Sequence, residues 1–166
     1  MTCKEAYDNT CKIIETAYAE YKFRYYKTKR EIKGCVNGCN IGIRISASRD
    51  NSADYFVSFV FNANVSDANG TVGPAIYNGV TFYHGERERI GIPLQGDDVS
   101  EVVDGWDGNN DSMNCRFMPN NWNVAFPQHQ LRCAKDVCYI LDNVLFSSPD
   151  VIEALGCRIK ADIDYT

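Results

Sequence analysis

Histidine is scarce in this chain, which contains two, His84 and His129. Imidazole is the usual side chain for acid–base chemistry near neutral pH and a frequent zinc ligand. With two histidines, the chain has few residues from which either kind of site could be built. The chain also lacks the Walker A loop, the G-x-S-x-G nucleophile turn, the H-E-x-x-H zinc motif and the Rossmann glycine pattern. The sequence therefore predicts no catalytic residue, no metal site and no cofactor.

The chain also lacks long apolar runs. No stretch approaches the roughly 18–20 apolar residues that a membrane-crossing helix needs. The first residues, Met1 to Asp8, carry acidic side chains where a signal peptide has a basic and then an apolar region. These features predict a cytoplasmic protein without a membrane partner.

The overall composition is that of an ordinary globular chain, with 45% hydrophobic and 23% charged residues. A chain of 166 residues lies in the usual size range of one domain, and no linker, repeat or low-complexity run divides it. The sequence predicts a single domain over residues 1–166 and makes no prediction of oligomeric state.

Charge is distributed unevenly along the chain. Residues 1–50 hold ten Lys/Arg and six Asp/Glu, a net charge of +4, whereas residues 51–166 hold seven and sixteen, a net charge of −9. A basic aromatic stretch runs over residues 22–33, and an acidic one over residues 97–111. Such a separation shapes the surface field that selects partners, and it carries no information about fold.

The eight cysteines allow two interpretations. An even number is typical of a secreted disulfide framework, but a chain of this length can build a core without disulfides. Cys11 lies at helical spacing from Tyr7 and Ile14, as a small buried apolar residue would. Reduced thiols in a cytosol are therefore the preferred prediction, with disulfides as the alternative.

Hydrophobic periodicity predicts a helix followed by a β-hairpin. Apolar residues recur at three- and four-residue steps over residues 3–21, which indicates an amphipathic helix. Strict alternation of apolar and polar residues over Ile41–Ala47 predicts a half-buried strand. Apolar residues at every second position from Tyr55 to Val65 predict a second, longer strand, joined to the first by turn residues from Arg49 to Asp54. Two neighbouring strands with a short polar connection form an antiparallel hairpin, and the helix is expected to cover its apolar face.

The rest of the chain is predicted as mixed strand and helix. The predicted strands are Tyr77–Tyr83, Ile90–Leu94, Val99–Val103 and Trp122–Phe126, with a loop over Asp104–Asp111. Val137–Phe146 has a helical pattern. A short helix is predicted after Ser148 as N-cap, with Pro149 at its first position and Gly156 just past its end. The fold class is thus α+β: a mainly antiparallel sheet packed by an N-terminal helix and C-terminal helices.

Three local patterns resemble reactive or metal sites. Cys35 and Cys39, completed by His129, Cys133 and Cys138, have zinc-ligand chemistry, but their spacing is unlike that of a zinc knuckle, and loop and core cysteines explain them equally. Cys133 or Cys138 with His129 as base would make a nucleophile, which also needs a group to orient the base. The carboxylates of Asp104, Asp107 and Asp111 suit calcium, but Asp, Asn and Gly also dominate ordinary turns, which is the preferred interpretation.

The basic aromatic stretch over residues 22–33 is the fourth candidate. Lysine and arginine neutralise phosphates and aromatic rings stack on bases, as in single-strand binding. The chain is acidic overall, with a pI near 5.0, which opposes phosphate approach. The preferred prediction is a helix end whose aromatic rings enter the core while the lysines stay solvated, and no nucleic-acid partner.

The order of these N-terminal elements supports a resemblance. A helix, the segment from Phe23 to Arg30, a strand at Ile41–Ala47 and a turn into Tyr55–Phe59 resemble small uncharacterised bacterial α+β domains of the immunity-protein type. The resemblance covers roughly the first 65 residues and implies an immunity or accessory protein, with no site residue carried over. A second segment, Trp122–His129, is similar to a strand and Pro-x-His turn in cupin-like sugar-processing proteins.

These observations lead to two functional hypotheses. The first is a protein-binding module, a cytosolic immunity or antitoxin-type inhibitor whose acidic loop fills the basic cleft of a toxin domain, with an aromatic anchor at its centre. Its predicted partner-binding residues are Asp97, Asp98, Glu101, Asp104, Trp106, Asp107 and Asp111. The alternative is a small-molecule or metal-dependent enzyme with a cupin-like pocket that uses His129.

Overall fold

The structure, a computed structural model, describes residues 3–47, 59–77, 80–83, 86–88 and 127–165. Within these ranges seven strands form one antiparallel sheet in which each strand pairs with the next along the chain. The strands are β1 (Arg24–Tyr26), β2 (Glu31–Val36), β3 (Cys39–Ala47), β4 (Phe59–Asp67), β5 (Gly70–Tyr77), β6 (Val80–Tyr83) and β7 (Glu86–Glu88).

Helices precede and follow the sheet, which confirms the predicted α+β class. Helix α1 (Cys3–Ala17) is followed by a single 3-10 turn, Ala19–Tyr21. Helix α2 (Pro127–Ile140) continues as a π-helical turn, Leu141–Leu145, and α3 (Pro149–Leu155) comes after it. None of the described helices combines the length and the apolar character that a membrane crossing needs.

Strands β3 and β4 form the predicted hairpin. Ile43 lies opposite Ala63 in the register, and Ile45 lies opposite Phe61, so the apolar positions of both strands share one buried face. The alternation sets this register, because a slip by one residue would turn every isoleucine of β3 to solvent. The predicted turn residues and the first residues of the predicted strand, from Tyr55 to Ser58, lie outside the described residues.

The apolar stripe of helix α1 belongs to the same core as the buried residues of β3 and β4. The predicted stripe is buried from Ala6 to Tyr18, and Tyr21 packs against the core from the 3-10 turn. The α-helix ends at Ala17 and not at residue 21, because the chain tightens into the 3-10 turn and then reverses at Lys22, whose φ is 60°.

The basic aromatic stretch is not a helix end, and that prediction was wrong. Lys22 terminates the helical segment, and the following residues enter β1 and the turn to β2. Aromatic residues favour strands, and a reversal at Arg30, with φ of 49°, closes the hairpin. Phe23 is buried and the lysines are exposed, as expected, but Tyr26 remains 46% exposed on the outer face.

The C-terminal helices differ from prediction in their bounds. The helix predicted over Val137–Phe146 begins earlier, at Pro127, and changes to the π-helical turn after Ile140. The short helix was predicted correctly: Pro149 begins α3, and Gly156 ends it in the left-handed region with its N–H bonded to the Ile152 carbonyl. Ser148 occupies the N-cap position, although its side chain makes no capping hydrogen bond.

The remaining strand predictions have mixed outcomes. The single strand predicted over Tyr77–Tyr83 is wrong, because the chain reverses between Tyr77 and Val80, which pair with each other across β5 and β6. The strands predicted at Ile90–Leu94, Val99–Val103 and Trp122–Phe126 and the loop over Asp104–Asp111 lie outside the described residues.

The helices pack on one face of the sheet, where several aromatic rings are in close contact. Tyr18 stacks on Phe23 at 5.1 Å between ring centroids and meets Phe146 edge-on at 5.7 Å. The Phe23 ring packs directly on Gly34 of β2, where a side chain would not fit, because a Cβ at Gly34 would lie 2.4 Å from a Phe23 ring carbon. The opposite face, called here the open face, presents exposed or half-buried side chains from β1 to β4: Arg24, Tyr26, Glu31, Lys33, Cys35, Asn40, Arg44, Asn62, Asn64 and Ser66.

A glycine-to-alanine substitution is expected to destabilise the helix-covered face more than the open face. Gly34→Ala is expected to lower the free energy of unfolding by about 1–3 kcal/mol, because the new methyl group overlaps the enclosed Phe23 ring. Gly42→Ala is the matched control on the open face, where the new Cβ would lie 3.4 Å from the Asn64 Oδ1 atom, an ordinary contact distance. It is expected to change stability by less than about 1 kcal/mol. Urea denaturation of both variants measures the difference, and equal losses would contradict the packing described.

Candidate functional site

One buried carboxylate, Asp142, joins separate parts of the chain. It lies in the π-helical turn after α2 and is 6% exposed. The hydroxyls of Tyr18 and Tyr165 donate to its Oδ1 and Oδ2 atoms, each at 2.8 Å. The backbone N–H of Ala161 donates to both oxygens, at 3.2 and 3.0 Å. These four bonds fix the C-terminal segment to the end of α1.

Burial sets the ionisation of this cluster. It raises the pKa of Asp142 above its usual value, although the hydrogen bonds from Ala161, Tyr165 and Tyr18 act in the opposite direction. Burial also raises the pKa of Tyr18 and of the neighbouring Cys138, so that thiol is protonated near neutral pH. A protonated, fully buried thiol has no nucleophilic role.

A second buried carboxylate, Asp8, holds the β1–β2 hairpin against α1. The Tyr25 hydroxyl donates to its Oδ1 atom at 2.8 Å, and the Lys27 ammonium lies 3.2 Å from its Oδ2 atom. The Tyr25 backbone N–H donates to the carboxylate of Glu15, about two helical turns further along α1. Burial raises the pKa of the adjacent Cys11 to about 12. The Asp8 cluster is therefore also structural, since its polar atoms bind one another.

The open face holds a groove above Gly42, called here the Gly42 groove. Its volume is about 420 Å³, and the side chains around it come from four neighbouring strands, β2 to β5. Its lining residues are Glu31, Gly42, Arg44, Asn62, Ala63, Asn64, Ala75 and Ile76. Neither Asp8 nor Asp142 is among them, so the groove is separate from both structural clusters.

The strand register explains why the groove lies there. Glu31, Arg44 and Asn62 form one row across β2, β3 and β4, and Lys33, Gly42 and Asn64 form the next. Because Gly42 has no side chain, the second row has a gap at its centre. The side-chain oxygens of Asn64 and Glu31 lie 3.4 and 3.5 Å from the position a Cβ would take at Gly42.

A bulge in β5 forms one wall of the groove. Val65 pairs with Val72, and Ala63 pairs with Ile76, so the three residues Gly73–Ala75 lie opposite Asn64 alone. Gly73 adopts φ of 66°, and a Cβ there would lie 2.8 Å from the Val151 Cγ2 atom of α3. Glycine is required at this point because α3 presses on the bulge while the conformation is left-handed.

The predicted partner-binding residues are not among the described ones. Residues 97–111 as a whole lie outside the described ranges, so the acidic site stays a prediction. The residues concerned are Asp97, Asp98, Glu101, Asp104, Trp106, Asp107 and Asp111. The alternative calcium ligands Asp104, Asp107 and Asp111 have the same status.

The described cysteines do not form the predicted zinc or nucleophile sites. Cys35 is exposed on the open face, whereas Cys39 is buried on the helix face and contacts the Ala154 carbonyl at 3.7 Å, so the two cannot bind one zinc ion. Cys138 is buried and belongs to the Asp142 cluster. Within the described ranges no three His, Cys, Asp or Glu side chains gather as a metal site requires, and Cys11, Cys35, Cys39, Cys138 and Cys157 are free thiols.

The cupin-like segment also differs from expectation. A Pro-x-His turn was predicted at Pro127–His129, but these residues form the first turn of α2. The preceding residues, Trp122–Phe126, lie outside the described ranges. A helical backbone at His129 does not match the strand-to-turn geometry on which that similarity rested.

The sequence pattern did not reveal the Gly42 groove as a site. The alternation placed Asn62 and Asn64 on the outer side of β4, but the position of β2 beside β3 was not predicted. Gly42 gave the one local signal, because a glycine inside a strand pattern often marks a close approach to the backbone. No protein-family model, no curated protein and no solved structure matches this chain. The function of the groove must therefore be inferred from its own chemistry.

The Asp142 cluster predicts a pH dependence of stability. Because the pKa of Asp142 is raised, the folded chain holds this proton more tightly than the unfolded chain does. The stability contributed by the carboxyl is fully present below the usual aspartate pKa, and it is lost as the pH rises through the raised value. The free energy of unfolding of wild type relative to Asp142→Asn should therefore fall with rising pH.

Urea denaturation at a series of pH values from 4 upward measures this difference. Asp162→Asn removes an exposed carboxylate from the same C-terminal segment and controls for the loss of one negative charge. If the free energy of unfolding of wild type relative to Asp142→Asn increased with rising pH, the raised pKa of Asp142 would be contradicted.

Proposed function

We propose that this chain is a protein-binding module of the immunity or antitoxin class, which binds and neutralises a basic toxin domain. The observation that carries the proposal is the contrast between the two faces of the sheet. The two carboxylates that are buried in the described part of the chain, Asp8 and Asp142, accept internal hydrogen bonds, while the open face presents a polar surface to solvent. Such a scaffold supports recognition better than it supports catalysis, which needs an accessible reactive group.

The charge of the acidic segment supports the class of partner. Residues 97–111 contain six carboxylates and no lysine or arginine. Opposite charge speeds encounter with a basic surface, and an aromatic side chain such as Trp106 is the kind of residue that contributes most to affinity at the centre of an interface. The proposed binding site is this segment, from Asp97 to Asp111.

Co-expression with the proteins encoded beside its own gene tests the proposal. One neighbouring product is expected to arrest growth alone, to be rescued by this chain and to co-purify with it. The association rate should fall as salt is raised, because electrostatic steering is screened. Absence of any rescued, co-purifying neighbour would contradict the proposal, as would an association rate that is insensitive to salt.

Two matched triple variants test the acidic segment itself. The first neutralises three acidic-segment carboxylates, by Asp104→Asn, Asp107→Asn and Asp111→Asn. The second neutralises three exposed carboxylates elsewhere, by Asp67→Asn, Glu153→Gln and Asp162→Asn. At low salt the first is expected to slow association roughly tenfold, and the second to leave it nearly unchanged. Equal association rates for the two variants would show that the acidic segment is not the binding site.

A further inference from the structure

The guanidinium of Arg44 is available to a ligand in the Gly42 groove. Arg44 lies directly opposite Glu31 in the register, at the distance where a cross-strand ion pair would be expected. Glu31 instead pairs with Lys33 of its own strand, with 3.8 Å between their charged atoms. Within the described part of the chain Arg44 makes no ion pair, and its side chain is exposed.

The basic residues of the neighbouring hairpin divide into two groups. Lys27 binds Asp8, and the Arg30 guanidinium lies 5.1 Å from the centre of the Tyr7 ring, so both serve to hold the hairpin on α1. Arg24 and Lys33 instead share the second row of the open face with Gly42. With Arg44 they give the described side chains of this face three cations, against the single carboxylate of Glu31.

The other groups in the groove suit a peptide. The side-chain amide of Asn64 can both donate and accept hydrogen bonds, as peptide groups do. The missing side chain at Gly42 lets a backbone approach the sheet closely. The groove crosses four strands spaced about 4.8 Å apart, a width of roughly 14 Å, which about four extended residues would span.

We propose that the Gly42 groove binds an acidic peptide segment of a partner protein. Arg44 binds a carboxylate side chain of that segment through paired N–H donors, and Asn64 binds its peptide groups. Charge complementarity carries the choice of an acidic ligand. This surface is opposite in sign to residues 97–111, so the inference goes beyond the proposed inhibitor and does not depend on it.

Nucleic acid is a less suitable occupant of the same groove. The Glu31 carboxylate faces the gap above Gly42 and would repel a phosphate backbone at that point. Single-strand binding also uses several stacking rings, whereas the described residues of the open face offer Tyr26, over which Lys33 already lies, 5.9 Å from the ring centre.

Fluorescence anisotropy with the full chain tests the inference. The probe is a fluorescein-labelled decapeptide of alternating Glu and Ser, and the matched probe replaces every Glu by Gln. The acidic peptide is expected to bind about tenfold more tightly than its Gln counterpart. Arg44→Gln should weaken binding of the acidic peptide by about tenfold, and Arg44→Lys by less, since lysine keeps the charge without the paired donors.

Two further variants separate the groove from general basic charge. Lys29→Gln removes one exposed cation from the turn between β1 and β2 and is expected to change the affinity by less than about twofold. Gly42→Val fills the groove and should abolish binding. If it fails to fold, as judged by circular dichroism, Gly42→Ala with a partial loss serves the same purpose.

Any of three results would overturn the inference. The first is that the acidic peptide shows no saturable binding at millimolar concentration. The second is that Arg44→Gln and Lys29→Gln weaken peptide binding equally, and the third is that a single-stranded RNA of ten nucleotides or inorganic phosphate binds the groove more tightly than the peptide does. The triple variant at Asp104, Asp107 and Asp111 should leave peptide binding unchanged, so this test can fail while the inhibitor proposal stands, and the reverse also holds.

Discussion

The side chain of Tyr18 connects the two ends of the described chain. Its ring packs against Phe23, which enters from the start of the sheet, and against Phe146, which follows the π-helical turn. Its hydroxyl donates to Asp142, whose other oxygen binds Tyr165 near the C-terminus. Since a buried hydroxyl without a partner is costly, the bond to Asp142 stabilises Tyr18 in the core, and it joins α1 and the sheet to the C-terminal helices.

This arrangement explains the use of the buried ionisable groups. A carboxylate in the core costs free energy unless every lone pair has a donor, and Asp142 receives four hydrogen bonds. Asp8 receives the Tyr25 hydroxyl and the Lys27 ammonium in the same manner. Both carboxylates therefore serve to hold helices and strands in position. The side chains that can contact a partner lie on the opposite face of the sheet.

The parts that the sequence predicted are those with short-range signals. Alternation over Ile41–Ala47 predicted β3, and Pro149 with Gly156 predicted α3, because each pattern lies within a few residues. Strand β1 has three residues, too few for periodicity to distinguish it from the end of a helix. The Gly42 groove was beyond sequence reasoning for a different reason: Glu31, Arg44 and Asn62 become neighbours only through the pairing of three strands.

The core determines the geometry of the groove as well as the stability of the sheet. Along β3 the isoleucines alternate with Gly42 and Arg44, so the register that buries Ile41, Ile43 and Ile45 also fixes the rows of the open face. A slip by one residue would bury Arg44 without an anionic partner and expose three isoleucines, each change costing several kcal/mol. The side chains of the groove therefore stand in fixed rows before any ligand arrives. A preformed surface of this kind loses less conformational entropy on binding than a flexible one, and this favours recognition by the open face.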